Sequence, residues 1–597
     1  MGCSGAAQPP ASRASESPEP GSRHGRRRQR RTVALLLAAG LAAPAARAAV
    51  FTVGSTGECS TSTLALALLL TAANGSGHDE IRLTANQTGN FTIQSQSVSI
   101  VGGWASCGAA NPTGITRLSG PGTGRVLTIH GASSFLEVEL VHLDVTGGVA
   151  LYGGGLYVLD KFVVSLYDTW IYGNQASSGG SGAGGGIAID GDGGARLAID
   201  QGSRIYDNSA LIGGGGIYCQ ETVPASAGVT LLDGRVDTNS AVSYGGGIAV
   251  RGCDLLSYAG GPQQGIRGNT TAGVGGGIYA DTLAHVELWG DPGHPATLDG
   301  NRADSSGSAL YVWGPAVTAE LHDSWVTNHL IGAALATRDG GRIAMDRTLG
   351  PECHDPLACS RIAGNLDGVA TGDVSLSHTV VEDNAADGTL LYLETGSSIT
   401  LDGLLVARNV LNGGAAGGDL VRFLGRSLHV THTTFVDNLA AGQYLIWPYC
   451  FDCLPTPEWL EIDTTLVAEG AGQILAVAFD PVDWVMTFDC DILREVASIP
   501  LSATLTRYST AADPALHFVD RAGGDFHLRL ASPAIDFCTA PAGGVPKDLD
   551  FQPFGYDEPT VLGFYGPWDL GADEEMPGLF ADGFETGNTG RWSARVP

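Results

Sequence analysis

Five glycine triplets, each followed by an aliphatic residue, recur at an almost fixed interval, and no other feature restricts the fold as strongly. They are Gly153-Gly154-Gly155-Leu156, Gly184-Gly185-Gly186-Ile187, Gly214-Gly215-Gly216-Ile217, Gly245-Gly246-Gly247-Ile248 and Gly275-Gly276-Gly277-Ile278. Their last glycines stand 31, 30, 31 and 30 residues apart. Such a period marks a solenoid, whose repeats bury their apolar faces against one another. A second element precedes each later triplet: an apolar residue, two variable ones, then Asn. It ends at Asn174, Asn208, Asn239 and Asn269, and continues in degenerate form at Asn301, Asn365, Asn384, Asn409 and Asn438.

Each period holds three short alternating runs, as in 277–280, 285–288 and 296–299. Alternation with turn residues between means strands, and helical patterning is absent here. Three strands per coil, stacked in register, give an all-β, right-handed parallel β-helix of about a dozen turns. Glycine suits corners where successive turns touch, and the last glycines are expected to form one column. Asn tolerates a left-handed backbone and can bond its counterpart in the next turn, so Asn174, Asn208, Asn239, Asn269 and Asn301 are expected to form a ladder. The apolar, helix-like segment 64–73 is expected to cap the open end of the core.

The first 48 residues have the form of a basic leader and signal peptide. Arg23, Arg26, Arg27, Arg28, Arg30 and Arg31 precede a short apolar stretch, 33–41, and Ala46-Arg47-Ala48 is a small-x-small cleavage site. The stretch is too short to span a bilayer, so no transmembrane span is expected after cleavage. The formal charge is −30, and loss of the leader's eight arginines and two glutamates takes it to −36. So acidic a chain does not suit nucleic acid. Ten cysteines remain, which in an oxidising compartment predicts disulfides. Proximity suggests Cys59–Cys107, Cys353–Cys359, Cys450–Cys453 and Cys490–Cys538, leaving Cys219 and Cys253 over. The remaining organisation is an N-terminal cap and first strands (49–110), repeats (111–510), a closing segment (511–576) and a tail (577–597).

Two outward columns are expected on the strand after each triplet. One holds Tyr157, Ala188, Tyr218, Ala249, Tyr279 and Tyr311. The other holds Leu159, Asp190, Gln220, Arg251, Asp281 and Trp313. Aromatics flanked by polar groups suit a carbohydrate face, with alanines leaving room for a sugar chain. Asp190 and Asp192 offer a weak Ca²⁺ site. His322, His378 and His432 each lie six residues before an Asn, and this spacing assigns them to one recurring structural turn position.

The Gly-Gly-x-[Ile/Leu] and apolar-x-x-Asn elements resemble the repeats of polymorphic outer membrane proteins and of bacterial right-handed β-helix proteins with the pectate-lyase-like solenoid, over roughly 90–510. No strand-rich barrel pattern follows them, so self-translocation is not expected. A second set of motifs resembles the terminal segment of bacterial β-helix proteins known as choice-of-anchor Q: Asp513-Pro514, Gly524-Asp525-Phe526-His527-Leu528, Ser532-Pro533-Ala534-Ile535-Asp536, Asp548-Leu549-Asp550 and Asp569 to Glu574. Phe551 replaces its usual glycine. The segment is expected to close the C-terminal end of the solenoid. Residues 579–593 resemble a short tail on exported proteins of Gram-negative bacteria. These resemblances imply an extracellular or outer-surface protein, adhesin-like or polysaccharide-binding. A carbohydrate-active lyase or hydrolase is the alternative, but the polygalacturonase signatures and the pectate-lyase Asp-His pattern are missing, and no catalytic residue is assigned.

Overall fold

The computed structural model describes residues 48–572, apart from 349–359, 412–417, 449–457, 469–483, 494–503, 510–517, 540–546, 553–565 and a scatter of shorter gaps. The described strands wind into a parallel β-helix. The first strands of successive turns form a sheet of 13, and the second and third strands join into one of 31. They join because Trp484–Leu493 pairs along its length with both Glu458–Asp463 and Leu466–Ala468. A representative turn runs Ile278–Asp281, His285–Trp289, Ala296–Asp299, matching the three expected runs to within a residue or two. A fourth, two-residue strand, here Arg302–Ala303, recurs in six turns as a small sheet of its own, following Gly148 in the first and the Asn in the other five. Alternate residues of each strand point into one long apolar core of Val, Ile and Leu.

The ladder forms as expected. Asn239 shows its pattern: its Oδ1 accepts from Asn208 N and Asn208 Nδ2, both at 3.0 Å, while its Nδ2 donates to Asn269 Oδ1 and to Ile205 O. Each rung therefore satisfies backbone groups that the corner would otherwise bury unpaired. The three glycines serve three different needs. The first takes a left-handed backbone, with φ of 70° at Gly184. A Cβ on the second, Gly185, would stand 2.4 Å from the carbonyl oxygens of Gly215 and Ser209. A Cβ on the third, Gly186, would stand 2.8 Å from Gly216 O and 2.9 Å from the ladder amide of Asn208. The last glycines do form one column.

Helix Leu64–Asn74 covers the N-terminal end. Thr63 caps it by accepting from Leu66 N, Gly75 closes it in the left-handed region, and Leu64, Ala67 and Leu68 enter the core. Cys59–Cys107 and Cys490–Cys538 are bonded as expected. Cys219 and Cys253, left over in the sequence reading, pair with each other between first-strand residue 219 and the following turn's corner. The other four cysteines lie outside the described residues.

The described part of the C-terminal segment lies along the flank of the last turns. The hairpin Phe518–Asp520 and Asp525–Leu528, with Ile535, Phe537 and Leu570, packs on Ala407, Val436, Leu466 and Ala468. Hydrogen bonds fix it there: Gly571 N to Thr464 O, Ala572 N to Thr434 Oγ1, and Arg347 to Leu549 O. Ala407, Val436 and Ala468 are outward third-strand residues, and such apolar side chains need a cover from water. Asp513 and Pro514 lie outside the described residues.

Candidate functional site

Both predicted first-strand columns exist. Parallel pairing aligns Tyr157, Ala188, Tyr218, Ala249, Tyr279 and Tyr311, and beside them Leu159, Asp190, Gln220, Arg251, Asp281 and Trp313. Their exposure departs from expectation. Tyr218, Tyr279 and Tyr311 are only 5%, 3% and 7% accessible, Asp281 is buried too, and Tyr157 is half-buried. The alanine slots are already filled by rings from the glycine corners. Tyr152 stacks on both Tyr157 and Tyr218, beside Ala188, and Tyr244 lies 4.5 Å from Tyr279, beside Ala249. Gly213 makes room, since a Cβ there would meet the Tyr244 ring at 2.1 Å. Alternation in a strand fixes which sheet face a side chain takes, not whether a corner folds back over that face.

The phenols are held as neutral donors. Tyr157 donates to Asp190, Tyr218 to Gln220 and Tyr279 to Asp281. Burial, with Asp190 second, pushes Tyr157 up to about 12, and burial raises Tyr218 and Tyr279 as well. Burial opposes the Arg251 cation, but Asp281, 3.0 Å from Nε, outweighs it and raises that pKa. In the second column Gln220 and Trp313 are exposed, and Leu159, Asp190 and Arg251 are half-buried. Asp190 serves Tyr157, and Asp192 lies outside the described residues.

The histidines do not share one position. His378 and His432 sit at left-handed corners, with φ of 45° and 46°. His322 instead ends the strand Thr318–His322, and Asp323 takes the left-handed corner. Asn328 is not a rung either. His329 occupies the ladder, with Nδ1 and Nε2 near Asn301 O and Leu298 O and its N–H on Asn365 Oδ1. Burial pushes its pKa down to about 4. Among the described residues, one group of carboxylates and imidazole, Glu287, Glu320 and His322, has ligand atoms all within 4.8 Å of one another.

The third-strand face holds an aromatic and cationic strip that the sequence reading missed. Register aligns Asp144, Trp170, Arg204 and Arg235 in one column and Thr146, Tyr172, Tyr206, Asp237 and Arg267 in the next. Tyr172 and Tyr206 stack at 4.9 Å, Trp170 meets Tyr206 edge-on, and the Arg204 guanidinium lies 4.2 Å over Tyr206. Trp170 is 38% accessible. Buried Asp237 pairs with both Arg204 and Arg235. Its hydrogen bond holds the Arg204 pKa above the ordinary value. Arg267 is lowered, first by burial and also by Arg235. Its Nε is buried with no hydrogen-bond partner. Three guanidiniums on successive turns thus share this face with Asp237, which bridges the first two, and with Asp299, which stands beside Arg267 in the next turn. The signal was available in sequence, because these residues flank the apolar position of each apolar-x-x-Asn element.

No family model matches the chain, and no curated protein matches it. Among the described residues, no helix is long and apolar enough to cross a membrane.

Proposed function

We propose that this is an exported, non-catalytic β-helix protein of the outer surface of a Gram-negative bacterium, and that it binds acidic polysaccharide along its third-strand face. The observation that carries the reading is the Trp170–Tyr206–Arg204 cluster continuing into Arg235 and Arg267. Flat rings suit the apolar faces of sugars, and guanidiniums suit carboxylate or sulfate groups in bidentate geometry. Turns stack about 4.8 Å apart, close to one sugar per turn for a chain lying along the axis. The disulfides fit an oxidising compartment. The repeat and C-terminal resemblances to polymorphic outer membrane and choice-of-anchor proteins favour the cell surface.

The test is retention on immobilised polygalacturonate and a sulfated glycan, beside a neutral glucan. At about 1 kcal/mol per ring, replacing Trp170 and Tyr206 with Ala weakens binding about 30-fold. The parent's affinity falls with added salt. No retention of the parent on any charged glycan, or equal retention of the folded double variant, refutes the reading.

A further inference from the structure

The Glu287, Glu320 and His322 group lies on the second-strand face, apart from the aromatic strip. Adjacent strands supply it. Register places Glu287 beside Glu320, and Trp289 beside His322, which is beside Asp346. The group draws on two consecutive turns and Asp346 comes from the third, so His322 is set apart from His378 and His432.

His322 is the informative member. It is only 8% accessible, under the Trp289 ring at 3.9 Å between centroids. Nδ1 is bonded to Asp346 Oδ1. Nε2 is buried and makes no hydrogen bond. Glu320 Oε2 stands 3.4 Å from it, without hydrogen-bond geometry. That separation has a simple meaning in metal chemistry. Nitrogen and oxygen ligands about 2.0–2.1 Å from a tetrahedral ion lie about 3.4 Å apart. A carboxylate on the far ring nitrogen is the usual partner of a metal-bound histidine, since it fixes the tautomer and leaves the other lone pair for the ion.

We propose that Glu287, Glu320 and His322 bind a divalent transition-metal ion of the zinc type, with Asp346 as the positioning residue for the imidazole. Two carboxylates and one imidazole suit Zn²⁺ over Ca²⁺, which prefers six or more oxygens. Glu320 is 47% accessible in its side chain, so the ion is reachable from solvent, and three protein ligands leave a fourth position for water or an anionic group. The competing occupant is a proton. Burial lowers the ring's pKa, but Asp346, Glu320 and Glu287 outweigh it and raise it.

The experiment is titration of chelator-treated, disulfide-intact protein with Zn²⁺, Co²⁺ and Ca²⁺ at pH 7.5, by calorimetry and by the visible absorption of bound Co²⁺. One equivalent of Zn²⁺ or Co²⁺ binds, Co²⁺ gives four-coordinate bands, and Ca²⁺ does not compete. Glu287→Gln and Glu320→Gln, at the surface and compatible with folding, each weaken binding at least tenfold. Asp346→Asn weakens it 10- to 100-fold while the Co²⁺ bands persist at saturation, as for a group that acts through the ligand. A folded parent that binds neither ion at micromolar concentration overturns the proposal. So does unchanged affinity in both glutamate variants.

Discussion

Replacing Asn239 with Ala removes one rung from the middle of the ladder, and the structure sets the cost. The Asn208 N–H loses its acceptor, Asn239 Oδ1 at 3.0 Å, inside a corner that is not accessible. Ile205 O loses the Nδ2 donor at 2.9 Å. Asn208 Nδ2 keeps its bonds to Ile171 O and Tyr206 O, and Asn269 Oδ1 keeps the Asn239 N–H, so those groups are not orphaned. One stranded N–H at about 1–3 kcal/mol, one weakened carbonyl at about 1 and a small cavity at about 1 sum to roughly 3–5 kcal/mol. The control is Asn328→Gly, an exposed Asn at a left-handed φ of 60° that glycine also adopts, whose side chain bonds Asp299, with an expected cost below about 1 kcal/mol. Urea denaturation measures both, and amide exchange at Asn208 reads the local loss directly, because solenoids open turn by turn. A loss below about 1 kcal/mol for Asn239→Ala, or one equal to the control, refutes the claim that the ladder stabilises the corners.

Three further outcomes follow from buried groups. His329 is neutral in the fold, with a pKa of about 4 against an ordinary 6.5; the unfolded chain takes up the proton first, so stability falls as pH drops from about 6.5 to 4, by up to about 3 kcal/mol. His329→Asn restores the rung and removes that acid sensitivity, and a pH series of melting midpoints that matches the parent's contradicts this. Asp491 is fully buried, accepts from Thr465 N and is raised well above the ordinary value. The native state therefore keeps the proton longer, stability falls as pH rises above the ordinary carboxylate range, and Asp491→Asn is more stable than the parent by a margin that widens as pH rises above about 4, measured by denaturant midpoint. Replacing Cys219 and Cys253 together with Ala costs about 2–4 kcal/mol, and a reducing agent then no longer lowers stability through that bridge.

How much was legible depended on whether a local rule sufficed. Spacing, alternation and residue chemistry determined the parallel coils, the glycine column, the Asn ladder and the capping helix, since each rests on a backbone need that one turn repeats. The same elements misled where a residue type was followed in place of its neighbour in the core. Aligning by Asn put Asn328 on a rung, whereas aligning by the core residue Val326 puts His329 there and frees His322 from the structural histidines. Only the tertiary structure decided what covers an outward face. Tyr152 and Tyr244 fold from the corners onto the tyrosine column, and a segment more than 80 residues downstream of Val436 shelters the apolar third-strand flank. It also brought Glu287, His322 and Asp346 from three turns to one place. Strand period is written into each repeat, but burial beyond the strand is set by long-range packing, which no local pattern encodes.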